Sequence, residues 1–223
     1  MTEHSYLAAT RASYDTVAAD YAELNRDWLA GSPLDRAVLT AFAELVQRAG
    51  DRPVADLGCG PGYLTAYLDG LGVPAFGVDL SPAMVEVARR GYPHLRFRTG
   101  SMAALDLADG ELGGILAWYS THHTPLEHLS AVFSEFHRTL APGGHLLLGT
   151  HVGDELRQLR HAYGHPVSLE SHLLPPDRVA ELLGAAGLVV TSRLLKEPTG
   201  TQTRQHVSFL AHRPGAPAAD APQ

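Results

Sequence analysis

The segment Asp56-Leu57-Gly58-Cys59-Gly60-Pro61-Gly62 follows a short apolar run and precedes a helical pattern. Glycines at such a junction let the backbone turn sharply and let a ligand lie against the main chain with no Cβ in the way. In an open α/β sheet this is where ligands sit, beyond the carboxyl ends of the strands. A dinucleotide fingerprint, Gly-x-Gly-x-x-Gly, would meet a pyrophosphate with its amides. Here the third glycine comes one residue early, at Gly62, and position 63 is Tyr. The Asp56 carboxylate beside the loop would repel a pyrophosphate, whereas it suits a ligand carrying an ammonium and a sulfonium. One strand–helix–strand unit later, Asp79 offers a second carboxylate, a natural acceptor for the two hydroxyls of a vicinal diol.

A second constellation closes a later strand, Leu116-Ala117-Trp118-Tyr119-Ser120-Thr121-His122-His123. Trp118 and Tyr119 are suited to wall a flat acceptor. Histidine titrates in the range useful to a general base, which makes His122 and His123 candidates, with His122 preferred. The same pair also suits packing or capping of the following helix. His151, at the end of the next strand, is a further base candidate, and His172 a third beside the substrate. The histidines show no His-Glu-x-x-His pattern, so no metal is expected. Cys59 is the single cysteine, which excludes an internal disulfide and a cysteine-based zinc site and leaves it as small filler.

The loop Asp56–Gly62 resembles motif I of the class I S-adenosylmethionine-dependent methyltransferases. Gly77-Val78-Asp79-Leu80-Ser81-Pro82-Ala83-Met84 resembles the motif on their second strand, and Leu140-Ala141-Pro142-Gly143-Gly144 the turn before their fifth. The resemblance implies S-adenosylmethionine as cofactor, with Asp79 on both ribose hydroxyls and Asp56, Gly58, Gly60, Gly62, Leu80, Met84 and Trp118 around it. It places Gly100-Ser101-Met102 at the adenine, through the Met102 backbone N–H, with Ser101 where the family usually has an acid. Ser13–Tyr21 resembles a leading helix of small members, in which Tyr14 or Tyr21 closes over the methionine end. A tyrosine there offers its ring to the sulfonium and its hydroxyl to the carboxylate. Metal-dependent members carry acidic ligands after the fourth strand, and none follows here until Glu127.

The implied reaction is methyl transfer to an oxygen, nitrogen or activated carbon of a small molecule, a secondary metabolite, leaving S-adenosylhomocysteine. Three alternatives stay open: a same-fold protein that binds the cofactor but catalyses a cyclisation, an NAD-binding oxidoreductase, and a non-catalytic protein that has kept the pocket.

These residues need a scaffold. The chain has 223 residues, 45% hydrophobic and 18% charged, enough for one α/β core. A single domain over 1–212 is expected, followed by a disordered Pro/Ala-rich tail at 213–223. Helices fill the first fifty residues, with Ser32 an expected N-cap ahead of Pro33. Strands and helices then alternate: strands at 53–57, 74–80, 94–99, 114–119 and 144–150, helices at 63–71, 82–90 and 126–140, the last ended by Pro142-Gly143-Gly144. Such alternation predicts a Rossmann-like, doubly wound sheet, mostly parallel. Residues 153–174, rich in His, Arg and Gly, are expected to act as a lid or insertion. After a helix at 176–186, runs at 188–195 and 206–211 predict an antiparallel hairpin at the sheet edge. The formal charge of −7, without any basic block, argues against a nucleic-acid substrate. No apolar run approaches the roughly 20 residues needed to span a bilayer. The N-terminus lacks a signal-peptide pattern, so a cytoplasmic protein, monomeric or homodimeric, is expected.

Overall fold

The computed structural model describes residues 5–200 and 203–215. The expectation for the first residues of the N-terminus, and most of that for the tail, lie outside them.

Helices α1 (Ser5–Asn25) and α2 (Pro33–Ala49) lead into the alternation β1 (Val54–Leu57), α3 (Tyr63–Gly70), β2 (Ala75–Asp79), α4 (Pro82–Gly91) and β3 (Arg96–Thr99). There follow β4 (Leu112–Trp118), a 3-10 turn at Thr121–His123, α5 (Leu126–Thr139) and β5 (Leu140–His151). The chain ends with β6 (Glu155–Ala162), β7 (His165–Leu173), α6 (Pro176–Ala185), β8 (Val189–Lys196) and β9 (His206–His212).

Seven strands form one sheet in the order β3-β2-β1-β4-β5-β9-β8. β1 runs parallel to both β2 and β4, so the strand order reverses between β1 and β4. β9 pairs antiparallel with β5 and with β8, the expected edge hairpin. All seven residues of β4 are buried, as a strand covered on both faces requires. On one face α5 lays Leu129, Val132, Phe133 and Phe136 against the sheet, joined by Leu182 and Leu183 of α6. On the other, Leu39, Phe42 and Val46 of α2 meet Leu64 and Leu68 of α3. A fully buried phenylalanine such as Phe136 holds about 3–5 kcal/mol against truncation to alanine.

Three local expectations are corrected. Ser32 does not cap α2; its hydroxyl donates back to the Trp28 carbonyl (2.9 Å), leaving Pro33 alone to start the helix. Pro142-Gly143-Gly144 does not end α5, which stops at Thr139. It forms an irregularity inside β5, with Gly143 at φ +81° and the pairing with β4 shifting register there. Arg213 belongs to the fold, not to a loose tail. Its N–H and carbonyl bond Gly144 and Gly143, and its guanidinium donates to the carbonyls of His137 and Leu140.

Candidate active site

The reversal between β1 and β4 opens a cavity of about 800 Å³. Its floor is the glycine loop, and the three glycines do different work. Gly58 has φ +76°, and a Cβ there would stand 2.3 Å from the Ser120 Cβ. That close approach lets the Ser120 hydroxyl donate to the Leu57 carbonyl (2.7 Å), lacing the ends of β1 and β4. Gly62 (φ +84°) starts α3 against Phe97, 2.7 Å from where its Cβ would be, and lines neither of the cavities beside the loop. The missing Cβ at Gly62 thus serves the packing of α3 on β3. Gly60 faces the cavity, and its N–H donates to Asp79 Oδ2 (2.8 Å).

Asp79 is nearly buried, and its Oδ1 accepts from the Ser81 N–H (2.8 Å). Burial pushes its carboxyl up while these two N–H groups pull it down. Each oxygen keeps a lone pair for a hydroxyl. Leu80, Met84, Ser101, Met102 and Trp118 line the same cavity, and Tyr14 and Tyr21 enter it from α1. Ser101 spends its oxygen on the Ala103 N–H (3.2 Å), which shapes the turn presenting Met102. Sequence reasoning missed Tyr6, Leu7 and Thr10, which the early turns of α1 bring to the wall. No local signal marks them; they arrive because α1 is clamped over α4. The Asp15 carboxylate accepts from the Ser81 hydroxyl (2.5 Å) and the Ala83 N–H (3.1 Å).

Asp56, near the end of β1, lines a second cavity of about 1100 Å³ that shares Gly58, Gly60 and Trp118 with the first. It accepts the Thr65 hydroxyl (2.6 Å), and burial outweighs that bond to push its carboxyl up to about 7. Cys59 is buried among Val85, Ala88 and Phe97, where burial raises its thiol and packing is its role.

Beyond the end of β4 a cleft of about 650 Å³ lies under the β6–β7 hairpin. The hairpin turns at Tyr163–Gly164, both with positive φ (52° and 82°), as a tight two-residue turn with the strand twist demands. It docks on α1 through Ser168 N–H to Ser13 Oγ (3.1 Å) and His165 Nε2 to Asp20 (2.7 Å). The segment expected as a lid or insertion is thus a β-hairpin. Tyr119, Tyr14 and Tyr21 wall the cleft with Tyr163, and His122, His123 and His151 converge in it. Tyr119 sits at φ +51°, a strained conformation for a bulky residue, with its hydroxyl bonded to His206 Nδ1 (2.8 Å).

The histidines are kept neutral. Burial, reinforced by the neighbouring imidazoles, holds His122 well below its ordinary range, and its Nδ1 is buried without a hydrogen-bond partner. Burial and then His206 lower His151 to about 4. Burial lowers His123 to about 4 as well, against the opposing pull of the bond it donates to the Glu170 carbonyl. Both of its ring nitrogens are committed, Nδ1 to that carbonyl (2.7 Å) and Nε2 to Tyr14 Oη (2.8 Å), so His123 has no nitrogen free for an acceptor. His172 is not in the wall of the cleft. Its Nε2 is buried, 3.7 Å from the Glu170 carboxylate. Arg157 and Tyr163 complete the cleft, brought by the hairpin with no signal short of its fold.

Residues 54–144 match a family profile described as a methyltransferase domain. Over that segment the chain is similar to S-adenosylmethionine-dependent methyltransferases. It is 31% identical over 140 residues to a demethylmenaquinone methyltransferase of Chlorobaculum parvum, covering 61% of this chain and 57% of that one. The chain thus spans little more than half the length of that relative. In structure it resembles the magnesium protoporphyrin IX methyltransferase of Synechocystis, solved with S-adenosylmethionine bound (TM-score 0.73, 16% identity, 96% of this chain and 99% of that). It also resembles the 1,6-didemethyltoxoflavin-N1-methyltransferase of Burkholderia thailandensis (TM-score 0.69, 22% identity, 96% and 91%). At these identities the likeness of the two structures is one of fold. Within the methyltransferase fold, the glycine loop and the β2 carboxylate occupy the matched segment, while the hairpin and most of the cleft beneath it lie outside it.

Proposed function

We propose that this protein transfers a methyl group from S-adenosylmethionine to an oxygen, nitrogen or activated carbon of a small molecule, a secondary metabolite, held under the β6–β7 hairpin. The observation that carries this is a shared wall. Tyr14, Tyr21, Tyr119 and His123 line both the cofactor cavity and the cleft, so two ligands can meet end to end. The cavity fits the cofactor: Asp79 keeps acceptor capacity for a diol, Gly60 leaves the floor bare, and the Trp118 indole N–H is buried without a protein partner. When bound, the cofactor supplies an electrophilic methyl carbon for an in-line displacement. The chain supplies alignment and exclusion of water. The tyrosine wall orients a flat acceptor, and the hairpin covers it. His122, neutral at pH 7 and in the wall of the cleft, is the base we assign to take the acceptor's proton as the new bond forms. His151 borders the same cleft and holds the second side.

The test is calorimetry followed by turnover. The protein should bind S-adenosylmethionine, and a panel of hydroxylated and amino aromatic acceptors should yield methylated product together with S-adenosylhomocysteine. Product formed without S-adenosylhomocysteine would point to a cyclisation instead. Tighter binding of NAD would overturn the assignment.

A further inference from the structure

We infer that Tyr14 meets the cofactor only as a hydrogen-bond acceptor, its hydroxyl proton locked on His123 by the hairpin, so that the site favours the cationic cofactor over its neutral product. The inference rests on the proposal that S-adenosylmethionine fills the cavity.

The argument starts at Glu170, in β7. Its backbone carbonyl has only lone pairs, so the 2.7 Å contact with His123 Nδ1 requires the proton to be on Nδ1. In a neutral ring the other nitrogen then carries only a lone pair. The 2.8 Å contact between His123 Nε2 and Tyr14 Oη therefore has one assignment: the tyrosine donates. Burial keeps the ring neutral and holds the Tyr14 hydroxyl far above its ordinary range, so the phenol retains its single proton. That proton is spent. What Tyr14 has left is two electron-rich features, the oxygen lone pairs and the ring face.

Tyr14 stands between the cofactor cavity and the acceptor cleft, edge-on to Tyr21 (6.1 Å between centroids) and to His123 (5.4 Å). Tyr21 in turn meets Tyr163 of the hairpin turn at 5.0 Å. Tyr14 so committed attracts the sulfonium, its polarised methyl hydrogens and the ammonium, and its hydroxyl has no proton to offer the carboxylate. The expectation that a tyrosine hydroxyl here donates to the carboxylate is thereby reversed for Tyr14. Methyl transfer turns the sulfonium into a neutral thioether, so Tyr14 loosens its hold once the reaction is done. His123 is a positioning residue in this scheme: it touches neither reactant through a free nitrogen, and it sets the direction of one proton.

The experiment measures dissociation constants for S-adenosylmethionine and S-adenosylhomocysteine by calorimetry, with melting curves confirming that each variant is folded. Tyr14→Phe should weaken S-adenosylmethionine about fivefold more than S-adenosylhomocysteine, the scale of a weak C–H···O contact. His123→Ala frees the hydroxyl to rotate and should erode the same preference. His123→Gln, whose amide oxygen can accept the Tyr14 proton, should restore it. Equal weakening of the two ligands in Tyr14→Phe would overturn the inference, because a bond to the carboxylate is common to both. An unchanged preference in His123→Ala would overturn it too. A parent protein that binds neither ligand would bring down the proposed function itself, a different failure.

Discussion

The cofactor cavity and the acceptor cleft share a wall, yet they are built by opposite means. The cofactor side is made of backbone: positive-φ glycines, N–H groups aimed at Asp79, and strand ends laced by Ser120. The acceptor side is made of side chains delivered by β4, β5 and the hairpin, with one strained residue, Tyr119. Where backbone conformation is the recognition element, altering it damages fold and binding together. Where side chains recognise, altering one changes chemistry and leaves the frame standing.

The largest effect should come from Gly58→Ala. A Cβ 2.3 Å from that of Ser120, on a residue at φ +76°, combines overpacking with backbone strain. Together these cost on the order of 3 kcal/mol. Denaturant melts should show the loss, and calorimetry should show weakened cofactor binding with it; a stable variant with normal affinity would dissolve the contrast. His122→Ala should do the reverse on the acceptor side. Turnover should fall on the order of 100-fold while cofactor affinity and melting temperature stay put, the lower end of what a general base contributes. Equal turnover in variant and parent would remove His122 from the mechanism. Asp79→Ala should cost about 1–3 kcal/mol of cofactor binding, because it strands the Gly60 and Ser81 N–H groups as well as the ligand hydroxyls.

The smallest effect sharpens the comparison by pH. His123 and His151 titrate near 4 in the folded chain against an ordinary 6.5. Their neutral forms therefore support the fold fully above about 6.5, and that support is lost as pH falls toward 4. Asp56 works the other way: raised to about 7 from 3.8, it favours the folded chain at low pH and gives up that contribution as pH rises through 7. Acidification should thus act against the fold through the cleft histidines and in its favour through Asp56. Melting temperatures from pH 4 to 7.5 should fall by a few degrees less at the acid end for His151→Gln than for the parent, and by more for Asp56→Asn. Parallel curves for all three would contradict the opposition.

Much of the cofactor side was legible because its requirements are local. A glycine run after an apolar strand, with a carboxylate one βαβ unit later, names the ligand's place before any contact is known. Even there the tertiary structure added partners. Gly62 answers to Phe97, a β3 residue, and Asp56 to Thr65. On the acceptor side residue types were readable and roles were not. His122 and His123 are adjacent and chemically identical in the sequence. One ended with an unspent nitrogen, the other with both nitrogens committed to partners 47 and 109 residues away. His172 carries the right chemistry and is not in the wall of the cleft.

The sequence by itself determined the strand order's raw material, the turn at Gly58–Gly62 and the carboxylate at the end of β2, because backbone freedom and side-chain charge are properties a residue keeps wherever it goes. Only the tertiary structure decided which histidine keeps an uncommitted nitrogen, that a β-hairpin covers the cleft, and which way the Tyr14 proton points. Each of those depends on a hydrogen-bond partner, and a partner distant in sequence exists only once the chain has folded.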